Sequence, residues 1–192
     1  AATRHGKGEG GLAAVSTKRG GLEVLGAVSD LRMRGAAAVA LNPGGTLAYV
    51  AAAGANSLTV VDVSSAKSPQ VVGSINHAVD LKGACSVATD GGTMVYVAAC
   101  SSGKVSAVDV STPSAPEITA ALQLSAAQSV HYAEGRLHVA SGHARRVTTL
   151  TAKGKAISKL FSLKDEMLDH AVAVQVGLSG DKLVAAAGAY GG

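Results

Sequence analysis

The chain has 192 residues, 47% of them hydrophobic, a formal net charge of +4 and a sequence pI near 9.2. That length allows one domain with a real core, and that apolar content excludes a disordered chain. Its 17 Lys and Arg are dispersed and aromatics make up only 3%, so the basic stripe with stacking platforms of a nucleic-acid binder is missing.

The apolar residues are mainly Ala, Val and Leu, with no Trp and a single Phe, Phe161. Such a core must bring backbones close together, which suits flat strands packed face to face. No apolar run reaches the ~18–20 residues of a membrane-spanning helix.

Residues 1–10 are polar and Gly-rich, start without Met, and read as the flexible tail of a mature form or a fragment. Within it, Gly6-x-Gly8-x-x-Gly11 spells a dinucleotide fingerprint but lacks the strand before and the helix after. Two strands are then predicted at Leu12–Thr17 and Leu22–Val28.

From residue 35 onward the chain repeats. Thr46-Leu-Ala-Tyr49-Val runs on to Leu58-Thr-Val-Val-Asp62-Val, and Thr93-Met-Val-Tyr96-Val runs on to Val105-Ser-Ala-Val108-Asp109-Val. A third copy has Arg136-Leu-His138-Val and Val147-Thr-Thr-Leu150-Thr151, and a fourth begins at Lys182-Leu-Val184. Tyr49 to Tyr96 is 47 residues, and Tyr96 to His138 is 42. Each unit reads as four strands separated by Gly, Pro and Ser turns, with no helical stripe beyond one turn within Ser162 to His170.

A four-stranded repeat of this length is the unit of a β-propeller blade. The expected fold is therefore all-β: a small β-propeller of four-stranded antiparallel blades near 35–76, 83–124 and 127–163. The remaining half blades, residues 11–28 and 171–192, would either combine into a fourth blade or belong to a piece of a larger propeller. Closure requires a backbone ladder between them.

The segments Leu58-Thr-Val-Val-Asp62-Val-Ser-Ser with Pro69, and Val105-Ser-Ala-Val-Asp109-Val-Ser-Thr with Pro113 and Pro116, resemble LVIVD repeats. The match is good over residues 35–125. It degenerates outside, where Thr151 replaces the Asp and Ser16 stands at the corresponding place near the start. The resemblance implies a β-propeller, often extracytoplasmic and mostly without assigned enzymatic activity.

Asp62 and Asp109 recur once per unit before a Ser turn, and there a carboxylate fixes the turn rather than performing catalysis. Cys85 and Cys100 bracket the hairpin around Asp90-Gly91-Gly92-Thr93. They form a disulfide, implying an oxidising compartment, or else remain two small buried hydrophobes. His131 and His138 flank the turn Ala133-Glu134-Gly135-Arg136 symmetrically; they are weak zinc or copper candidates without a third ligand, and no cofactor is expected. In a propeller the first strand of each blade lines the central channel, so the loop before it rims one mouth. There Arg32, Arg34, His77, Asp80, Lys82, Asp165, Glu166, Asp169 and His170 are the candidate ligand- or partner-binding residues.

No catalytic motif is present. The expected function is a non-catalytic scaffold or peripheral subunit that binds a protein partner and not nucleic acid. The alternative is an enzyme or small-ligand binder using the channel mouth.

Overall fold

The alternating apolar runs form strands in the computed structural model, which describes residues 2–5, 8–17, 21–176 and 183–187. An N-terminal sheet holds β1 (Ala2–His5), β2 (Glu9–Ser16) and β3 (Glu23–Asp30). Blade one holds β4 (Ala36–Leu41), β5 (Leu47–Ala52), β6 (Ser57–Asp62) and β7 (Gln70–Asn76). Blade two holds β8 (Ala84–Thr89), β9 (Met94–Ala99), β10 (Lys104–Asp109) and β11 (Glu117–Gln123). Blade three holds β12 (Ala127–Ala133), β13 (Arg136–Ser141), β14 (Arg146–Lys153) and β15 (Ala156–Lys164). A C-terminal hairpin, β16 (Ala171–Val176) and β17 (Leu183–Ala187), follows. Three-residue 3-10 turns occur at Leu31–Met33, Gly142–Ala144 and Glu166–Leu168.

Within each blade the strands run antiparallel in sequence order. Between blades, β8 lies against β4, β12 against β8 and β16 against β12, so the first strands face one another around an axis. The outer strands β3, β7, β11 and β15 lie furthest from it. The fold is β-propeller-like, as the repeat predicts.

Small side chains let the sheets approach. Tyr49 and Tyr96 occupy equivalent places on the second strands and are buried; His138 takes the same place in blade three and is buried too. At the outer edge, a Cβ on Gly73 would stand 2.0 Å from the Pro113 carbonyl oxygen of the next blade. Gly26 meets the Ala66 and Lys67 carbonyls in the same way, which is why neither position tolerates a side chain.

Every sheet repeats its irregularities as well as its strands. The second residue of each first strand (Ala37, Cys85, Gln128, Val172) is bulged out of the ladder. So is one residue of each fourth strand, Leu25, Val72, Thr119 and Leu160. A bulge bends and twists its strand, which curves each blade.

Two features at the ends differ from expectation. The segment read as a tail contains β1, whose Ala2 pairs with Leu12 and His5 with Glu9. Hydrophobic periodicity misses a strand of four residues that includes Arg4 and His5. The spelled fingerprint runs into strand β2, which begins at Glu9 and includes Gly11, rather than into a helix, and Gly8 at φ 102° belongs to the β1–β2 connection. Because β1 and β3 occupy both edges of β2, the ladder that closure required is not formed among the described residues, where β17 pairs with β16 alone. Residues 177–182 and 188–192 of the expected fourth unit lie outside the described residues.

Candidate functional site

The loops that enter the first strands share one end of the blades with the turns between second and third strands. All nine candidate loop residues are on this face. They fall into local groups rather than one cluster.

Before blade one, Asp30 caps the 3-10 turn through the Arg32 backbone N–H and receives the Arg32 guanidinium at 2.7 Å. That hydrogen bond holds the Asp30 carboxyl below the usual carboxylate range and pushes Arg32 up. Arg34 donates from Nε and Nη2 to the Gly54 carbonyl at 3.0 and 2.6 Å. Before blade two, Asp80 accepts from Lys104 Nζ at 2.6 Å and lies 3.2 Å from His77 Nδ1, while Lys82 is exposed. Before the C-terminal hairpin, Asp165 caps its turn through the Met167 N–H and Glu166 is exposed. Asp169 pairs with Arg145 at 2.9 Å, which lowers the Asp169 pKa and raises that of Arg145. The His170 ring meets His143 edge-on at 5.2 Å.

Of this group, Asp169, Arg145, His170 and His143 line a cleft of about 540 Å³ together with Arg146 and Lys164. His143, Arg145, Arg146 and Lys164 were not singled out by spacing. Their signal lies in the register: Arg146 opens β14 as Lys104 opens β10, directly after the turn.

On the opposite face, Asp62 accepts from the Ser64 backbone N–H and hydroxyl at 2.8 and 2.6 Å. Asp109 accepts from the Ser111 N–H at 2.8 Å and also holds Lys155 of blade three at 2.8 Å. The Lys155 contact, then Ser111, lowers the Asp109 pKa to about 2. Thus both act on turns, and Asp109 also ties two blades together.

His131 and His138 are directly paired across β12 and β13. His138 Nδ1 lies 3.1 Å from Thr149 Oγ1, and burial, then the His131 and Arg136 charges, keeps His138 toward its neutral form. No group of three His, Cys, Asp or Glu suited to a metal occurs among the described residues.

Cys85 and Cys100 are bonded, with Cα atoms 5.9 Å apart. The ladder pairs Ala84, not Cys85, with Ala99, and the bulge at Cys85 accompanies this diagonal pairing.

Comparison with known proteins agrees with this architecture. The LVIVD repeat family model matches residues 38–77. No curated protein sequence matches the chain. Among solved structures, a functionally unknown protein from Desulfotomaculum acetoxidans aligns at 13% identity with a TM-score of 0.76, over 92% of this chain and 56% of its own. A putative 6-phosphogluconolactonase from Bacteroides uniformis aligns at 14% identity and 0.71, over 97% and 62%. A periplasmic gluconolactonase from Pseudomonas aeruginosa aligns at 13% identity and 0.69, over 91% and 56%. The chain therefore spans 56–62% of the length of these three structures, and at such identities the likeness is one of fold.

Proposed function

We propose that the protein is a non-catalytic β-propeller scaffold that docks a protein partner through the outer face of blade three. The observation that supports this reading is the environment of Phe161. In the ladder Phe161 pairs with Thr149 as Gly73 pairs with Val60, and in blade one that position is a glycine so that the next blade's turn can approach. The chain's one Phe stands there instead, 55% exposed, beside Leu163 at 64%. Together with Val147, Thr149, Leu168 and Ala185 they line an apolar cleft of about 290 Å³. A ring at that position cannot admit a turn's backbone as Gly73 does, and aromatic anchors dominate interfaces. Lys164, exposed next to Leu163 at the end of the same strand with no carboxylate partner among the described residues, favours a partner with acidic residues near its apolar anchor. The disulfide and the extracytoplasmic habit implied by LVIVD repeats favour an oxidising, extracytoplasmic setting.

The test is native mass spectrometry and crosslinking of the full chain from its source, with the bound protein identified by sequence. A stoichiometric acidic partner that is lost with Phe161→Asp and kept with Asp169→Asn supports the proposal. A strict monomer, or a partner indifferent to Phe161→Asp, overturns it.

A second reading, small-ligand binding or catalysis at the loop face, is favoured by the Asp169, Arg145, His143 and His170 group around its cleft. His170→Ala and Asp169→Ala, screened for ligand affinity and activity, test it; indifference to both rejects it.

A further inference from the structure

The clefts between successive blades are closed at the loop end by the connection into the next first strand, and one of these connections is shorter than the others. Its landmarks are the same in each blade. The first loop residue donates its N–H to the left-handed residue of the preceding turn: His77 to Asn56 at 3.0 Å, Leu124 to Gly103 at 2.7 Å, Asp165 to Arg145 at 3.0 Å. The last loop residue is itself left-handed: Gly83 at φ 69°, Ala126 at 57°, His170 at 54°. Two residues before it stands an aliphatic side chain, Leu81, Leu124 or Leu168. The connection is thus residues 77–83 before blade two and 165–170 before the hairpin, but only 124–126 before blade three. Most of the difference between the repeat spacings of 47 and 42 is located here.

What the longer connection supplies can be read from blade two. The Asp80 carboxylate takes Lys104 at 2.6 Å, and the Asp80 carbonyl accepts the Ser106 hydroxyl at 2.8 Å. In blade one the Arg32 carbonyl accepts the Ser57 hydroxyl at 2.5 Å and the Thr59 hydroxyl at 3.1 Å. By register, Arg146 and Thr148 are the blade-three counterparts of Lys104 and Ser106. Among the described residues no acidic side chain or raised carbonyl reaches them, and Arg146 Nη1 donates only to Ser162 Oγ at 3.2 Å. Thr148 Oγ1 and the neighbouring Ser141 Oγ are buried, 0% and 1% exposed as residues, and have no hydrogen-bond partner among the described residues. They line a cleft of about 270 Å³ with Gln123, Ser125, Arg146 and Lys159, and no lining side chain is acidic.

We infer that this cleft between blades two and three is a binding site for a small oxyanion of phosphate or sulfate type, seated where Asp80 stands in the preceding cleft. One anionic oxygen would take Arg146 and Lys159, as the Asp80 carboxylate takes Lys104. The other oxygens would accept from Thr148 and Ser141, as the Asp80 carbonyl accepts from Ser106. Water can satisfy a hydroxyl but brings no charge to two cations. The volume lies just below that of typical ligand pockets, which run from about 300 to about 1,000 Å³, so the fit is to a free anion or a small phosphoester.

The experiment is calorimetric titration of the full chain with inorganic phosphate, sulfate, glycerol phosphate and, as a control, chloride. Saturable one-to-one binding of an oxyanion is expected. Arg146→Gln should weaken it at least about tenfold, as should Thr148→Val, because each removes a hydrogen-bonding partner of a charged group. Lys104→Gln, in the closed cleft, should leave it unchanged. Replacing residues 124–125 by residues 77–82 should abolish it by restoring the carboxylate. If glycerol phosphate binds and inorganic phosphate does not, the ligand is the ester; the reverse order marks the free anion. No saturable binding of any oxyanion, or equal weakening by Lys104→Gln, overturns the inference. Thr148→Val keeps the test independent of folding, since it removes an unpartnered buried hydroxyl. The outcome does not depend on Phe161, so failure here and failure of the docking proposal remain distinguishable.

Discussion

The cleft between blades one and two and the cleft between blades two and three are built from the same strand positions, yet one is closed and the other open. In the first, Leu81 is fully buried among Tyr49, Leu58, Val60, Val97 and Val108, and the loop around it answers Lys104 and Ser106 on β10. In the second, Leu124 is half-buried, and Arg146 and Thr148 on β14 face a cavity. A shortened connection leaves strand pairing untouched because the ladder is satisfied within each blade. It removes only what lay across the cleft mouth. In this architecture connections can therefore vary without cost to the sheets, and the variation appears as an unsatisfied group.

The largest test of that contrast is the pair of aliphatic plugs. Leu81→Ala should destabilise the chain by about 2–5 kcal/mol, the cost of a cavity at a site that cannot collapse, whereas Leu124→Ala should cost markedly less. Urea unfolding of both variants measures the difference, and equal losses would erase the distinction between closed and open clefts. Next in size is the disulfide beside the open cleft. It joins residues 15 apart, and breaking it by Cys85→Ser with Cys100→Ser should cost about 3 kcal/mol on the chain-entropy model.

The hydroxyl pair should change in opposite directions. Ser106→Ala leaves the Asp80 carbonyl without its donor and should cost about 1 kcal/mol, while Thr148→Val should be neutral or stabilising without ligand. Thermal melts of both variants check this, and two equal losses would show that Thr148 is satisfied after all.

The smallest effects are in pH dependence. His131 and His138 have lowered pKa values, chiefly through burial, so the folded state binds fewer protons than the unfolded one near the ordinary histidine value of 6.5. Their stabilising effect is present above that value and is lost as pH falls below it, through the folded pKa. Melting at about pH 7.5 and about pH 5 should show this decline, and replacing both by Gln should flatten it. Asp109, at about 2 when folded against 3.8, titrates separately. Its contribution is full above 3.8 and is lost as pH falls toward about 2, so Asp109→Asn should remove only the acid limb of the curve.

Much of the fold was legible in the residues. Alternation in Leu58-Thr-Val-Val-Asp62 and its copies marks the third strands, and the Ser after each Asp announces the turn that its carboxylate fixes. The paired cysteines were legible as a disulfide or as buried thiols, and the structure shows the disulfide. The strand β1 was not legible, because its pairing with β2 lies in backbone hydrogen bonds that Arg4 and His5 do not advertise. The loop residues lie at one end of the blades, but which of them meet was not legible. Asp80 finds Lys104 at the start of β10, and Asp169 finds Arg145 in the turn before β14, both distant in sequence.

The sequence by itself determined the repeat, the four-stranded unit and the place of its turns, because side-chain alternation and turn chemistry act over a few neighbouring residues. It also contained the five-residue difference between successive copies. Only the tertiary structure decided what that difference does. Whether a hydroxyl on β14 is satisfied depends on a connection from the preceding blade, and whether Phe161 is covered depends on what packs against β15. Both are contacts between sheets, set by the distances at which whole blades pack rather than by the order of residues along either strand.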